Sequence, residues 1–212
     1  MKTLFAIVAI LVCLSVFSQD TIYITSTAYP DLTEHEYNPD DNLCDPVLLG
    51  TIPWAFLKAL DSEEEVVYIH FNISGQGPHI IYATYALPQI TRRVIIDAAT
   101  QSGYQTGLPA IILDGGENVN HGISFHGVSN SVVKGICIRN FQYTGIFCNN
   151  VNNSEFYDNV IYSIHRLLSD LMLGEGCIGL VGSSNNILKG NILGTDLTGN
   201  AYNNKYAGIN IQ

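Results

Sequence analysis

The chain has 212 residues, of which 47% are hydrophobic and only 13% are charged, and its 9 basic and 19 acidic side chains give a formal net charge of −10. This composition excludes intrinsic disorder, because disordered chains are rich in charge, and it excludes binding to duplex nucleic acid, which needs a basic surface. A coiled coil is excluded as well, because 19 Gly and 19 Asn would interrupt any long helix. What remains is a globular unit with many turns, or part of a larger repeat array.

The N-terminus has the pattern of a secretory signal peptide. Lys2 supplies a positive start, residues 4–17 carry no charge, and Ser18 precedes a predicted cut before Gln19. The apolar run is shorter than the roughly 18 residues that a membrane-spanning helix needs. We therefore expect an exported protein, secreted or at the cell surface, without a transmembrane helix.

Four cysteines remain after this cut. An oxidising compartment permits disulfides, but the spacing is wide and irregular, and no Cys-x-x-Cys pair indicates a zinc site. Buried free thiols are predicted ahead of a disulfide framework, and any pairing is left open. The four residues are Cys44, Cys137, Cys148 and Cys177.

A helix and several buried strands are predicted before the repeats begin. The stretch between Trp54 and Glu65 has partial helical spacing of apolar residues, and such a helix could cap the open end of an array. Residues 66–71, 94–97 and 110–115 are nearly continuous apolar runs, which is typical of strands buried in a parallel array.

Four segments, which start at residues 122, 145, 177 and 208, share one pattern of apolar positions. Fixed self-similarity of this kind is the signature of repeat architectures. The aligned columns are Ile123, Ile146, Ile178 and Ile209; Phe125, Cys148, Leu180 and Ile211; Asn130, Asn153 and Asn185; Val133, Phe156 and Leu188; and Ile138, Ile161 and Leu193.

The columns predict an all-β fold, a parallel β-helix (solenoid) in which turns stack about 4.8 Å apart and like residues lie above like residues. Asn suits the corners because it tolerates left-handed backbone angles, and stacked Asn side chains can bond to one another as a ladder. An ordinary β-sandwich with Asn-Gly turns is the alternative, although its strands need not keep one column pattern. The expected organisation is a signal peptide at 1–18, an N-terminal strand and capping region at 19–93, and coils at 94–212.

Several short motifs resemble those of a known family. Gly-Thr-Ile-Pro-Trp-Ala-Phe at residues 50–56 is similar to a Gly-Ser-Leu-Arg-Gln-Ala-Ile form, although Pro53 replaces the usual Arg and Phe56 the usual Ile. Leu-Pro-Gln-Ile-Thr at 87–91 and Gly-Thr-Asp-Leu-Thr-Gly at 194–199 also fit. The chain thus resembles secreted bacterial right-handed parallel β-helix proteins with a CSLREA-like N-terminal region. The resemblance implies that fold and an adhesin-like surface role, without a particular activity.

One repeat is longer than its predecessor, and the extra residues fall at 163–175. Apolar side chains recur there at helical spacing, which predicts a short helical excursion laid against the coil wall. The alternative is a lip over a carbohydrate groove. Its polar side would then offer the candidate binding residues His165, Arg166, Asp170 and Glu175.

The loop at residues 196–206 is rich in Gly, Asn and Thr, which predicts turns first and a contact with a cation or sugar second. No cofactor or metal site is expected from the sequence, and calcium is the one ion left open.

Polysaccharide lyases and hydrolases use this architecture, so acidic residues near the coils are candidate catalytic groups. Asp97, Asp114 and Asp158 are those candidates, and the first two end comparable strands, where they could lie near each other. Turn capping is the competing explanation. His121 and His126 flank one strand without a third metal ligand, so exposed histidines are predicted, with His126 as a candidate binding residue.

Two functions therefore stand as hypotheses. The first is a non-catalytic, adhesin-like or glycan-binding scaffold whose partners are extracellular glycans or cell-surface components, with no nucleic acid. The alternative is a polysaccharide lyase or glycoside hydrolase that uses one face of the β-helix. Because residues 209–211 begin a fresh turn, further coils are expected after Gln212.

Overall fold

The computed structural model describes residues 20–42, 44–164, 174–202, 204–205 and 207–212. These residues contain fifteen strands, one α-helix and one 3-10 helix, so the described part of the protein is mainly β. The predicted signal peptide and most of the predicted helical excursion, at residues 165–173, lie outside the described residues.

The strands are short, with two to six residues each. The first half of the chain contains β1 (Asp20–Ile24), α1 (Ile52–Asp61), β2 (Val67–Phe71), β3 (His79–Tyr82), β4 (Val94–Asp97), the 3-10 helix Ala98–Thr100, β5 (Ile111–Asp114) and β6 (His121–His126). The second half contains β7 (Val132–Lys134), β8 (Cys137–Arg139), β9 (Thr144–Asn149), β10 (Glu155–Tyr157), β11 (Val160–Tyr162), β12 (Gly176–Val181), β13 (Ile187–Lys189), β14 (Ile192–Leu193) and β15 (Ala207–Ile211).

The strands form three sheets in which all neighbours are parallel. The six-stranded sheet has the order β1-β2-β4-β7-β10-β13, the five-stranded sheet β3-β5-β8-β11-β14, and the four-stranded sheet β6-β9-β12-β15. From β4 onward the chain visits the three sheets in a fixed rotation. The described residues complete four such circuits, each of which adds one strand to each sheet.

The strand register confirms the columns found by aligning the sequence with itself. Residues that share a column are direct partners on neighbouring strands, because each circuit repeats the previous one in register. The partners run Ile123, Ile146, Ile178, Ile209 and Phe125, Cys148, Leu180, Ile211 in the four-stranded sheet, Val133, Phe156, Leu188 in the six-stranded sheet, and Ile138, Ile161, Leu193 in the five-stranded sheet.

One continuous core collects the inward side chains of all three sheets. Phe125 of the four-stranded sheet meets Phe156 of the six-stranded sheet edge to face, with ring centroids 6.0 Å apart, and both are fully buried. Pairs of this kind contribute roughly 0.5–1.5 kcal/mol beyond the burial of their surface. The alternation of inward and outward residues therefore leaves the outer faces of the sheets for other roles.

Asn at the first corner has the predicted backbone conformation. Asn130, Asn153 and Asn185 have φ values of 59°, 51° and 56°, in the left-handed region. The hydrogen-bonded ladder, however, lies one position later. The Ser131 amide donates to the Ser154 hydroxyl at 3.0 Å, and the Ser154 amide donates to Oδ1 of Asn186 at 2.9 Å.

A second ladder of amide side chains was not predicted. Asn159 is fully buried, and its Oδ1 accepts from the Ile136 amide of the preceding circuit at 3.2 Å. Its own backbone amide and Nδ2 both donate to Oδ1 of Asn191 in the next circuit, each at 3.1 Å. Buried polar groups are thus satisfied between circuits, which avoids the cost of leaving them unpaired.

Helix α1 confirms the predicted helix and begins two residues before Trp54. Thr51 is its N-cap, with the hydroxyl accepting from the Trp54 amide at 3.3 Å, and Pro53 lies in the first turn, where a missing amide hydrogen costs nothing. The helix buries Phe56 and most of its other apolar side chains, and it contacts β1 and β2. None of the helices among the described residues is long and apolar enough to cross a membrane.

The four cysteines in the described residues are buried and free, which confirms the prediction of unpaired thiols. Burial raises the pKa of Cys137 and that of Cys177 to about 12 in each case. Such thiols remain protonated at neutral pH and pack as small apolar side chains.

Candidate functional site

The outer face of the six-stranded sheet carries a register column of polar and aromatic side chains, here called the outer column. Its members occupy equivalent positions on all six strands, because each is the register partner of the next. They are Tyr23, His70, Asp97, Lys134, Tyr157 and Lys189.

Three neighbouring pairs in the outer column have side chains in contact. The Tyr23 and His70 rings meet edge to face with centroids 5.9 Å apart. The Asp97 carboxylate lies 3.3 Å from Nζ of Lys134, which in turn lies 5.6 Å from the centre of the Tyr157 ring. Partial burial would lower the pKa of Lys134, but the Asp97 carboxylate outweighs it and raises the pKa above its ordinary value.

Exposure differs along the outer column. Tyr23 is 50% exposed and Lys189 is exposed, whereas the four members between them are half-buried. Six strands at a spacing of about 4.8 Å give a row roughly 24 Å long. The aromatic rings of this row can stack on apolar ring faces of a ligand. Its carboxylate can accept hydrogen bonds from hydroxyl groups, and its ammonium groups can donate to them.

Asp97 and Asp114, the two catalytic candidates at strand ends, lie in different sheets. Asp97 belongs to the outer column, and its Oδ1 also accepts from the Ala99 amide at 2.9 Å, which caps the 3-10 helix. Asp114 lies in the five-stranded sheet, and its Oδ1 accepts from the Gly116 amide at 3.0 Å. Both acids therefore make the turn-capping bonds that the competing explanation predicted.

Asp114 is also held by an ion pair. It is 4% exposed, with Oδ2 2.7 Å from Nε of Arg139. A second nitrogen of that guanidinium donates to the Tyr162 hydroxyl at 3.1 Å. Burial would lower the pKa of Arg139, but these two bonds outweigh it and raise the pKa further. The Asp114 carboxylate thus compensates the charge of the Arg139 guanidinium on the neighbouring strand, which is a structural role.

Asp158, the third catalytic candidate, occupies a corner. Its φ is 55°, and it lies between β10 and β11, where the preceding and following circuits have Gly135 and Gly190 in left-handed conformations. Its amide donates to the Lys189 carbonyl at 3.0 Å. Its position is thus explained by corner geometry, which only Gly, Asn and Asp adopt readily.

The candidate binding residues do not form one site among the described residues. His126 is exposed at the end of β6. His165, Arg166 and Asp170 lie outside the described residues. Glu175 is 2% exposed, which corrects its expected place on a solvent-facing side. It immediately precedes β12, which is paired on both sides, with β9 and β15.

His121 is not exposed as predicted. Its ring stacks on Phe147 at a centroid distance of 4.8 Å and lies 5.8 Å from the Tyr143 ring. Burial lowers its pKa to about 4, and its Nδ1 is buried without a hydrogen-bond partner. The cause is Phe147 on the next strand, whose outward ring covers the imidazole.

The loop that follows β14 forms turns. Oδ1 of Asp196 accepts from the amide and the hydroxyl of Thr198 and from the Asn200 amide, all within 2.9 Å, and Oδ2 accepts from Nδ2 of Asn200. Desolvation would raise the pKa of Asp196, but these bonds lower it to about 2. Within the ranges that the structure describes, no group of three or more His, Cys, Asp and Glu side chains is placed to hold a metal ion.

Sequence reasoning missed the outer column as a site. Its members differ in type from strand to strand, so aligning the repeats gave no signal. The available signal was the alternation in β2, where Tyr68 and His70 stand between apolar residues at every second position.

Comparison with protein-family models, with curated proteins and with solved structures finds no match to this chain. The geometry of the sheets and their outer faces is therefore the basis for a functional proposal.

Proposed function

We propose that this chain is an exported, right-handed parallel β-helix protein that binds an extended glycan along the outer column of its six-stranded sheet, without cleaving it. The observation that carries the proposal is the outer column itself, with aromatic rings near both ends and a charge pair between them.

The β-helix assignment is supported by the rotation of the chain through three parallel sheets and by the in-register apolar columns. Parallel strands of one sheet that are joined by a crossover are right-handed in about 98% of cases, which supports the hand. Helix α1 packs on β1 and β2, at the start of the six-stranded sheet, which supports a capping role.

A glycan suits the outer column better than a protein partner. The row is narrow, long and only partly apolar, whereas the central part of a protein interface is depleted of charged residues. Tyr23 and Tyr157 offer ring faces for pyranose rings, and the Asp97–Lys134 pair offers an acceptor and a donor between them. The strand spacing brings successive side chains past successive units of an extended polymer.

The positions and ion pairs of the candidate catalytic carboxylates favour binding over cleavage. Hydrolysis needs two carboxyl groups on either side of a glycosidic bond, and lyase chemistry needs a free base. Asp97 and Asp114 lie in separate sheets and are each paired with a basic side chain. Export and the likeness to CSLREA-type proteins are supported by the sequence motifs alone.

Titration calorimetry against extended polysaccharides, such as xylan, pectin and alginate, tests the proposal. We expect saturable binding to at least one polymer. Tyr23→Ala and Tyr157→Ala should each weaken that binding about three- to tenfold, because each removes one stacking face. Tyr82→Ala is the matched control, since this tyrosine is 59% exposed on β3 of another sheet.

Two outcomes would contradict the proposal: no polymer binds, or Tyr82→Ala weakens binding as much as the outer-column variants. The same mixtures, held with and without calcium, also test for catalysis. New reducing ends or unsaturated products would favour a carbohydrate-active enzyme instead.

A further inference from the structure

A cavity of about 360 Å³ lies on the outer side of the five-stranded sheet, away from the outer column. Three separate loops supply its walls: the loop before β3, the loop before β5 and the loop after β14. The residues whose side chains define it are Gln76, Pro78, Gln105, Leu108, Pro109 and Leu197.

The outer face of the five-stranded sheet beside the cavity is apolar. Ile112, Cys137 and Val160 point outward from neighbouring strands of the five-stranded sheet and form a second hydrophobic cluster. Leu197 packs against that cluster from the loop after β14. The loop before β5 approaches the same face, because a Cβ atom added at Gly107 would lie 3.5 Å from the Ile192 side chain.

The polar groups of the cavity are uncharged. None of its lining residues, all of which the structure describes, is ionisable. Gln76 and Gln105 supply two exposed carboxamides, and their side chains have no hydrogen-bond partner in the described protein. A carboxamide both donates and accepts, so each can pair with a ligand amide or with hydroxyl groups.

Hydrogen bonds within the chain hold the walls of the cavity. Gln101 is 2% exposed, and its carboxamide bonds both the amide and the carbonyl of Ile73, at 2.8 and 2.9 Å, which anchors the loop before β5. Gln105 and Leu108 then close a tight turn through reciprocal backbone bonds. On the opposite wall, Asp196 fixes the turn next to Leu197. A preformed cavity avoids the entropy loss of ordering its walls on binding.

From these features we infer that the cavity is a second binding site, for one compact neutral ligand that carries an amide and a small apolar group. An N-acetylhexosamine unit has this chemistry: its acetamide pairs with a carboxamide, and its methyl group packs against proline and leucine. The volume lies near the lower end of the range for ligand pockets, which suits a single ring and not a chain. The site is independent of the outer column.

Ligand-observed NMR titration of the protein with N-acetylglucosamine tests the inference, with glucose and glucuronate as comparators. We expect saturable binding of N-acetylglucosamine, with glucose about tenfold weaker because it lacks the acetamide. Glucuronate should not bind, since nothing in the lining neutralises its carboxylate.

Two variants locate the binding. Leu108→Trp should abolish it by filling the cavity, and Gln105→Ala should weaken it about tenfold. Leu49→Trp is the matched control, because Leu49 is an exposed leucine in the segment before α1. Melting curves verify that each variant is folded.

Absence of saturable N-acetylglucosamine binding to the wild-type protein overturns the inference. Binding that survives Leu108→Trp in a folded protein overturns it equally. Tyr23→Ala and Tyr157→Ala should leave this binding unchanged, so failure here is distinguishable from failure of the outer-column proposal.

Discussion

At the scale of single residues, the neighbour on the next strand decides how a side chain behaves. His121 begins β6 and His126 ends it. In the described structure only His121 has an aromatic ring stacked on it, that of Phe147. Burial disfavours the charged imidazolium, so the pKa of His121 falls from 6.5 to about 4. His121 therefore makes the stability of the fold depend on pH.

The sign of this dependence follows from linkage. Between pH 6.5 and about 4 the unfolded chain binds a proton at His121 and the folded chain does not, so stability is lost as the pH falls through this window and is fully present above it. Relative to His121→Phe, the wild type should lose up to about 3 kcal/mol across the window. Urea unfolding at several pH values measures the difference.

Equal slopes for the wild type and His121→Phe would show that the imidazole is hydrated in the folded state.

At the scale of elements, the three residues of strand β10 lie in three different environments. In β10, Glu155 is exposed, Phe156 is fully buried, and Tyr157 faces outward beneath Lys134. Parallel partners on both sides, β7 and β13, hold this short segment in register. The strand is stable because it is stacked between neighbours, since so short a strand has little stability of its own.

Substitution within β10 tests this division. Phe156→Ala should lower the free energy of unfolding by about 3–5 kcal/mol, because it opens a cavity beside Phe125 in the core. Glu155→Ala should change it by less than about 0.5 kcal/mol. Chemical denaturation followed by circular dichroism gives both values.

Phe156→Leu extends the test if the alanine variant does not fold, with an expected loss of about 1–3 kcal/mol. Similar losses for the inward and outward positions would mean that the strand does not alternate as described.

At the scale of the whole molecule, the sequence predicted what repeats and missed what varies. Ile123, Ile146 and Ile178 revealed the register because stacked circuits need like side chains inside. The division into three sheets was not visible, since only Gly135 and Ile136 separate β7 from β8, and the left-handed bend at Gly135 is what divides the two sheets. The candidate site was not visible in the sequence either, because outward side chains are free to differ between circuits.

The cavity escaped sequence reasoning for a related reason. Gln76, Gln105 and Leu197 are far apart along the chain and belong to loops that do not repeat. Only the packing of those loops over the five-stranded sheet brings them together. A pattern search can detect periodic contacts, but it has no means of pairing three unrelated loops.

Export remains a prediction for the molecule as a whole, and mass spectrometry tests it. Expressed with its own N-terminus in a bacterial host, the protein should be recovered outside the cytoplasm without residues 1–18 and should begin at Gln19. Ile10→Arg should block this processing, because a charge interrupts the apolar run, and the full-length mass should then remain in the cell. An uncut wild-type chain would contradict the assignment.

The fixed register between circuits also bears on how the chain folds. Val132 pairs with Glu155, which pairs with Ile187, so partners are always about one repeat apart in the sequence. Loop-closure entropy depends on the number of residues enclosed, so the described circuits should meet similar kinetic barriers. Among the described strands, the pairing of β1 with β2, from Asp20 to Val67, spans the widest gap in the sequence, so we expect it to form more slowly than the pairings between circuits.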